Sequence, residues 1–573
     1  APAAGQTAVT RTHTSATLAM DLTPPLLVPK TAGHINPSDP KNHIQTPLKI
    51  EPLRKLLQSY SSDKTKFLLS GFQYGFRIQY NGPNISRFSR NHPSVSAHRK
   101  QVFDMLLKEL CLHRIAGPYP SPPFDHFIVS PLGVVPKKDP GKVRIIHDLS
   151  FPHTNSVNSF ISDEDASTQY ETFDTLVHLM QQFGARCLLA KTDIEEAFRI
   201  IPVHPLDRHL LGFSFNDDFF FDKCLPMGCR SSCSIFESFS TALQHITQEK
   251  FPDMGVTHIL DDFIFVGPSH SQATQACLDS FLLLAEEIGL PINHSKTVPP
   301  STTIVAHGIE VNSVTMTAKL PDEKIAKARL LLTQFKNRRK VTLRELQSLI
   351  GLLNFACRVI RPGRAFLRRL INLTCKAQQP HHHIQLNSDA RSDINAWLVF
   401  LSSFNGISVL LKDQFVNSEA LKLFSDASGS IGYAAVCGSD WLQGTWPDSW
   451  ASIHITAKEL FPIVLAIEIW GSSLANQKIL FKTDNSAVAD IINNQTCKDK
   501  FTMTLVRRLV LAALKNNILF RAIHIPGFSN VIPDHLSRSH FQEAKTLAPW
   551  LNQKPTSVPP HLLETVCVRQ PPT

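Results

Sequence analysis

The stretch HILDDFIFVG, residues 258–267, organises the reading of this 573-residue chain. Asp261 and Asp262 stand between Ile259-Leu260 and the run Phe263-Ile264-Phe265-Val266. Apolar β-formers on both sides of two polar residues predict a buried strand, a tight turn and a second strand. Burying an unpaired carboxylate costs several kcal/mol, so two of them inside a dry hairpin require compensation. A divalent cation would supply it. Taken alone, these ten residues fit an Asp-Asp surface turn better, and the rest of the chain has to decide.

Size and composition set bounds. The length suits about three or four domains, and 43% hydrophobic residues suffice for real cores. The formal charge of +10 and a pI near 9.0 accommodate a polyanionic partner without requiring one. Eleven scattered cysteines without paired spacing imply reduced thiols and an intracellular setting. Cys224, Cys229 and Cys233 lack the partners of a zinc motif and read as incidental thiols, and His381–His383 as a surface loop. No apolar run is long enough to span a membrane, and the N-terminus lacks a secretory pattern.

Residues 1–47, rich in Ala, Thr, Pro and Ser, read as a flexible leader, and the initial Ala suits an excised product. Residues 48–95 read as a packing arm, with the aromatic trio Phe72, Tyr74 and Phe76 directed to a core rather than to nucleic acid. Val102, Met105, Leu106 and Leu110 share a helical face in 97–118, with Gly117-Pro118 as its stop. FIVSPLGVVPKKDPGKVRIIHDLS, 127–150, is a hairpin about Asp139-Pro140-Gly141 that carries Lys137, Lys138, Lys142 and Arg144. Cations there either clamp phosphates or simply face solvent. RCLLAKTDIEEAFRIIPV, 186–203, predicts a strand ending in Asp193 with Phe198 as a wall beside it. LLGFSFNDDFFF, 210–221, is a hairpin turning at Asn216-Asp217-Asp218. A Pro-Met-Gly turn then precedes a helix within 225–247, where Gly228 would permit close backbone approach to a base pair.

Further on, 322–373 reads as helical, with a capping box at Thr342 and Glu345. Arg358, Arg361, Arg364, Arg368 and Arg369 fall within twelve positions and suit a duplex backbone better than a solvated face. Beyond 416, Asp426, Glu459, Asp484 and Asp534 each sit at the end or inner face of an element, within LKLFSDASGSIGYAAV, ITAKELFPIVLAIEIWG, ILFKTDNSAVADIINN and ILFRAIHIPGFSNVIPDHLSR. The tail 541–573 is Pro-rich with little structure signal.

The ordered set SPLGVVPKK, KVRIIHDLS, KTDIEEAF, LPMGCRSSCSIFESF, ILDDFIFVG, GLPINHSKT and VAHGIEVNS resembles the successive motifs of retroelement reverse transcriptases. HILDDF in place of a Tyr-x-Asp-Asp turn, SVNSFI, QSLIGLLNFACRVIRPGRAFLRRL and FLSSFNG make the chain most similar to the DIRS-like, tyrosine-recombinase class. The resemblance spans roughly 48–540. It implies an α+β multidomain fold: a right-hand polymerase of fingers, palm and thumb, followed by an α/β RNase H-like domain with a mixed sheet. Fingers and palm would occupy 96–320, a mostly helical thumb and connection 321–415, and the RNase H-like domain 416–540.

The same resemblance implies roles. Asp193, Asp261 and Asp262 would be polymerase carboxylates and metal ligands, Asp262 less directly than the other two. Lys138, Arg144, Phe198, Met227, Gly228 and Lys296 would contact the incoming dNTP, Phe198 as a gate against ribose and Lys296 as a proton donor. Met227 stands where Gln or Phe is common, and His307-Gly308 where a primer-gripping turn has Leu-Gly. Asp426, Glu459, Asp484 and Asp534 would hold metal for RNA cleavage. The retroviral loop histidine is replaced by Phe528, and His524 does not substitute for it. Two Mg²⁺ per active site, or Mn²⁺ in their place, are implied. So are an RNA template, a DNA primer, RNA–DNA hybrid and a separately supplied recombinase, since no recombinase segment or Asp-Thr-Gly protease turn occurs in the chain. The competing expectations are an idle, host-retained nucleic-acid-binding protein of polymerase shape, and an RNase H active beside a defective polymerase.

Overall fold

The computed structural model describes residues 44–137, 141, 143–375, 377–404, 407–410, 415–495 and 497–564. Its centre is a four-stranded sheet in the order Val298–Ser301, Leu188–Asp193, Asp262–Gly267, Gly255–Ile259, with all neighbours antiparallel. Phe263, Ile264, Phe265 and Val266 are fully buried because both faces of this sheet are covered. Each such side chain stabilises the fold by about 1.5–3 kcal/mol. The helix Ser232–Lys250 covers one face with Ile235, Phe236, Phe239 and Leu243, a stripe at helical spacing.

The arm packs into the same core. Leu48, Leu53, Leu57, Leu68, Phe72 and Phe76 join it, and Tyr74 alone of the aromatic trio faces solvent. Of the expected leader, residues 1–43 lie outside the described residues, and in the remainder the Thr46 hydroxyl donates to the Ile200 carbonyl at 2.8 Å. The helix Arg99–Cys111 also stops sooner than expected. His113 takes φ 54°, and Gly117-Pro118 lies inside the strand Ile115–Tyr119, which pairs with Asp218–Asp222. The basic hairpin is formed by Leu132–Pro136 and Val143–His147; Lys138, Asp139, Pro140 and Lys142 lie outside the described residues. The aromatic hairpin Gly212–Phe215 and Asp218–Asp222 turns through Asn216 and Asp217, both at positive φ, which matches strand twist.

The helical segment begins with Asp322–Lys336 and Leu343–Ala356. At the start of the latter the Thr342 N–H donates to Glu345 Oε2 at 2.7 Å and the Glu345 N–H to Thr342 Oγ1 at 3.3 Å, a complete capping box. The segment is less purely helical than expected, because Ile407–Val409 returns to pair with Thr317–Lys319.

Among the described residues the C-terminal unit has two hydrogen-bonded three-stranded sheets, with Leu423–Ala427 of one in contact with Lys478–Thr483 of the other. Leu423–Ala427, Gly432–Cys437 and Asp440–Thr445 are antiparallel, while Val416–Asn417, Lys478–Thr483 and Leu519–His524 are parallel. The helix Ile455–Trp470 is apolar nearly all round and fills the centre, packed on Lys500–Lys515. The tail is not unstructured throughout. The helix Phe541–Leu547 stacks Phe541 on Trp441 at 4.9 Å and buries Ala544, Ala548 and Leu551. Among the described residues every cysteine is an unpaired thiol, and no helix is long and apolar enough to cross a membrane.

Candidate active sites

Asp193 closes its strand directly opposite Asp262. Asp261 occupies the turn between the two hairpin strands, and its carbonyl accepts from the Ile194 N–H at 3.0 Å. Leu260, the other turn residue, takes φ 54°. Burial, and then the neighbouring Asp193, push the Asp261 carboxyl above its ordinary range. Burial also lifts Asp262 to about 6; Asp193 and Asp261 add to this and Lys191 opposes it. Lys296 reaches across to Asp193, its Nζ lying 3.0 and 2.9 Å from the two carboxylate oxygens. Asp262 accepts instead from the backbone N–H of His307, whose positive-φ turn thereby braces the hairpin. Mutually repelling carboxylates, only partly offset by Lys296 and Lys191, suit a divalent cation at Asp193 and Asp261, while Asp262 is engaged by backbone.

The surroundings sort the other expected residues. Phe198 is half-buried, edge-on to Phe236 at 5.5 Å, on the turn that follows the Asp193 strand. Arg144 is exposed on the basic hairpin. Met227 is 59% exposed. Gly228 serves a different contact from the one its sequence suggests: a Cβ there would collide with the His147 carbonyl oxygen at the base of the basic hairpin. Of the arginines, Arg358, Arg364 and Arg368 are exposed, and the side chain of Arg361 lies outside the described residues. Arg369 is already engaged, 3.4 Å from Asp389 and 3.9 Å from the buried Asp393, so it does not belong to a free basic face.

Two residues absent from the motif reading support this site. Buried Glu237 accepts the Leu260 N–H at 3.0 Å and pairs with His258 at 3.3 Å, fixing the strained turn from the helix beneath it. Asn158 donates to the Gly228 carbonyl and accepts from the Arg230 N–H, both at 2.8 Å. A carboxylate inside the apolar stretch SIFESF was the available signal for the first; spacing gives none for the second.

In the C-terminal unit, ligand atoms of Asp426, Glu459 and Asp484 all lie within 4.8 Å of one another. Burial and then the other acids lift the Glu459 carboxyl to about 9. Burial lifts Asp426 to about 6 against a 2.7 Å hydrogen bond from Ser537. Asn530 adds a donor 3.3 Å from Asp426 Oδ1. Three carboxylates this close, two of them holding protons strongly, fit a divalent cation. Asp534 stands outside the triad, half-exposed, and accepts from Arg538 at 2.8 Å. His524 lies 3.1 Å from the Asp484 backbone carbonyl oxygen and is not one of the three clustered ligand residues.

Residues 135–310 match the reverse transcriptase (RNA-dependent DNA polymerase) family model. This segment is thus similar to reverse transcriptase domains, and relatives that match part of the chain include retroviral and hepadnaviral proteins. The Gag-Pro-Pol polyprotein of Mason-Pfizer monkey virus is 23% identical over 233 residues, 39% of this chain and 12% of the viral protein. Protein P of duck hepatitis B virus (strain Germany/DHBV-3) is 27% identical over 166 residues, 28% of this chain and 20% of that protein. The chain thus matches a fifth or less of these relatives' length. A solved foamy viral protease-reverse transcriptase in complex with double-stranded DNA covers 86% of each chain with a TM-score of 0.46 and 17% identity.

Proposed function

We propose that the chain is an RNA-directed DNA polymerase joined to a ribonuclease H, copying the RNA of a DIRS-like retroelement and degrading the RNA strand of the resulting hybrid. The observation that carries the reading is the presence of two carboxylate clusters in one chain, one at the Asp193–Asp261 turn and one at Asp426, Glu459 and Asp484. Bound Mg²⁺, two per site and replaceable by Mn²⁺, would activate the primer 3′-hydroxyl at the first cluster and a water at the second, and would stabilise the departing oxygen. Asp193 and Asp261 hold opposite sides of the first site, while Lys296 lies where a proton could pass to pyrophosphate. Phe198 walls the sugar side of the dNTP, Met227 its base side, and Arg144 its triphosphate. Arg358, Arg364 and Arg368 track the duplex backbone. At the second site Asn530 and Ser537 orient Asp426, and Asp534 completes the set on the outer side.

Primer extension on a primed RNA template tests the first activity: Asp261→Asn should abolish Mg²⁺-dependent dNTP incorporation that the wild type supports. Equal inactivity of both would sink the proposal. The triad at the second site is tighter, since Lys296 already engages Asp193, and this favours hybrid cleavage as the more robust activity. Cleavage that persists in Asp193→Asn and disappears in Asp426→Asn would establish two independent sites.

A further inference from the structure

Phe528 is 83% exposed, on the short turn Gly527–Ser529 between the strand Leu519–His524 and the helix Val531–Ser537. Single exposed apolar residues are ordinary on protein surfaces. This one differs in how it is held. A Cβ built at Gly527 would lie 3.5 Å from Asp484 Oδ2, so the residue before Phe528 abuts one acid of the triad. Asn530, two residues after it and 3% exposed, donates to the Ser425 carbonyl at 3.0 Å and to Asp426 Oδ1 at 3.3 Å. The turn is closed internally by the Asn530 N–H to the Gly527 carbonyl at 3.0 Å and the Ser529 N–H to the Pro526 carbonyl at 2.9 Å. Phe528 is therefore flanked by a residue that abuts Asp484 and by one that hydrogen-bonds Asp426, and its side chain is open to solvent.

We infer that Phe528 is a substrate-contacting residue of the C-terminal site, laying its ring against the sugars of an RNA–DNA hybrid and setting the scissile phosphate over Asp426, Glu459 and Asp484. This rests on the ribonuclease reading above. The acids repel a phosphate backbone until metal is present, so attachment beside them has to come from a group without negative charge. A flat apolar ring meets that need. An A-like duplex offers it a wide, shallow minor groove lined by sugar edges. Aromatic contacts to nucleic acid are sensitive to truncation, and losing the ring should weaken productive binding about tenfold.

The test uses the full chain. Phe528→Ala should raise the KM for cleavage of a labelled RNA–DNA hybrid about tenfold with little change in kcat, Phe528→Trp should restore it, and primer extension should be unaffected. Stabilisation by Mn²⁺ alone should match the wild type in both variants. In Phe528→Cys, the hybrid added with Ca²⁺ should slow alkylation of the new thiol, read by mass spectrometry of its peptide. Wild-type KM in Phe528→Ala together with an unprotected thiol would overturn the inference, and so would loss of the Mn²⁺ response, which would make the ring a structural support. Protection of the thiol in a chain that cleaves no hybrid would uphold the contact and refute the ribonuclease reading separately.

Discussion

Lys296 Nζ sits within 3.0 Å of both carboxylate oxygens of Asp193, joining a short helical turn to the end of a central strand. The ammonium occupies the carboxylate that a cation would need. Because Lys296 is 57% exposed, the pair is screened and is worth about 0.2–1 kcal/mol. Lys296→Met should therefore lower the Mg²⁺ concentration that half-saturates primer extension by about two- to fivefold, while the maximal rate falls through loss of the proton donor. A magnesium titration of extension by both proteins measures this. A shift to higher Mg²⁺ would mean the ammonium assists binding instead of competing with it.

Glu237 is expected to act through the backbone of the catalytic turn. Its carboxylate accepts the N–H of Leu260, a residue at positive φ immediately before Asp261. Glu237→Ala leaves that buried donor unpaired, a cost of about 1–3 kcal/mol, and frees the turn. Thermal unfolding should show the loss, and extension should fall while hybrid cleavage persists. Glu237→Gln retains an acceptor at the same reach and should recover most of the extension rate.

What could be read from sequence divides along physical lines. The hairpin at 258–267 was legible because a continuous apolar run interrupted by two acids has few ways to fold, and Asp193 because an apolar run ended on it. The acids at 426, 459 and 484 were legible as ends and inner faces of periodic elements. Glu237 and Asn158 were not, since their value lies in hydrogen bonds to backbone 23 and 70 residues away, which spacing does not encode. The helix Lys500–Lys515 has a readable stripe at Leu505, Val506, Leu509 and Val510, yet its role in seating the Glu459 helix is a tertiary contact. Composition misjudged the tail, because the few apolar residues at 541–551 are the ones that cover Trp441.

The C-terminal triad should make metal-free stability depend on pH. Glu459 titrates at about 9 and Asp426 at about 6 in the folded protein, both above their unfolded values. The folded state thus binds these protons more tightly, and their contribution is complete below the unfolded values and lost as pH rises through the folded ones. Without metal, the unfolding temperature of this unit should fall as pH rises from about 4 to about 9, through both groups up to about pH 6 and through Glu459 alone above it. Mn²⁺ should flatten the slope by replacing the protons. Glu459→Gln should stabilise the metal-free protein at the alkaline end by about 1–3 kcal/mol and abolish the Mn²⁺ response. Calorimetry with and without chelator reads both effects.

Arg368 and Arg369 are adjacent in sequence and opposite in environment. Arg368 is exposed, whereas Arg369 reaches Asp389 at 3.4 Å and Asp393 at 3.9 Å. Asp393 is fully buried and also paired with Arg507, so it ties the helical segment to the C-terminal unit. Arg368→Ala should weaken binding of any duplex alike and reduce the slope of log affinity against log salt by about 1, with unchanged unfolding temperature. Arg369→Ala should leave the salt slope intact and cost about 1–3 kcal/mol of stability, because the Asp393 carboxylate loses part of its compensation. Duplex titrations at several salt concentrations, paired with thermal unfolding of each variant, separate the two. A salt slope that changes equally in both would show that Arg369 leaves its acidic partners to meet the phosphate backbone.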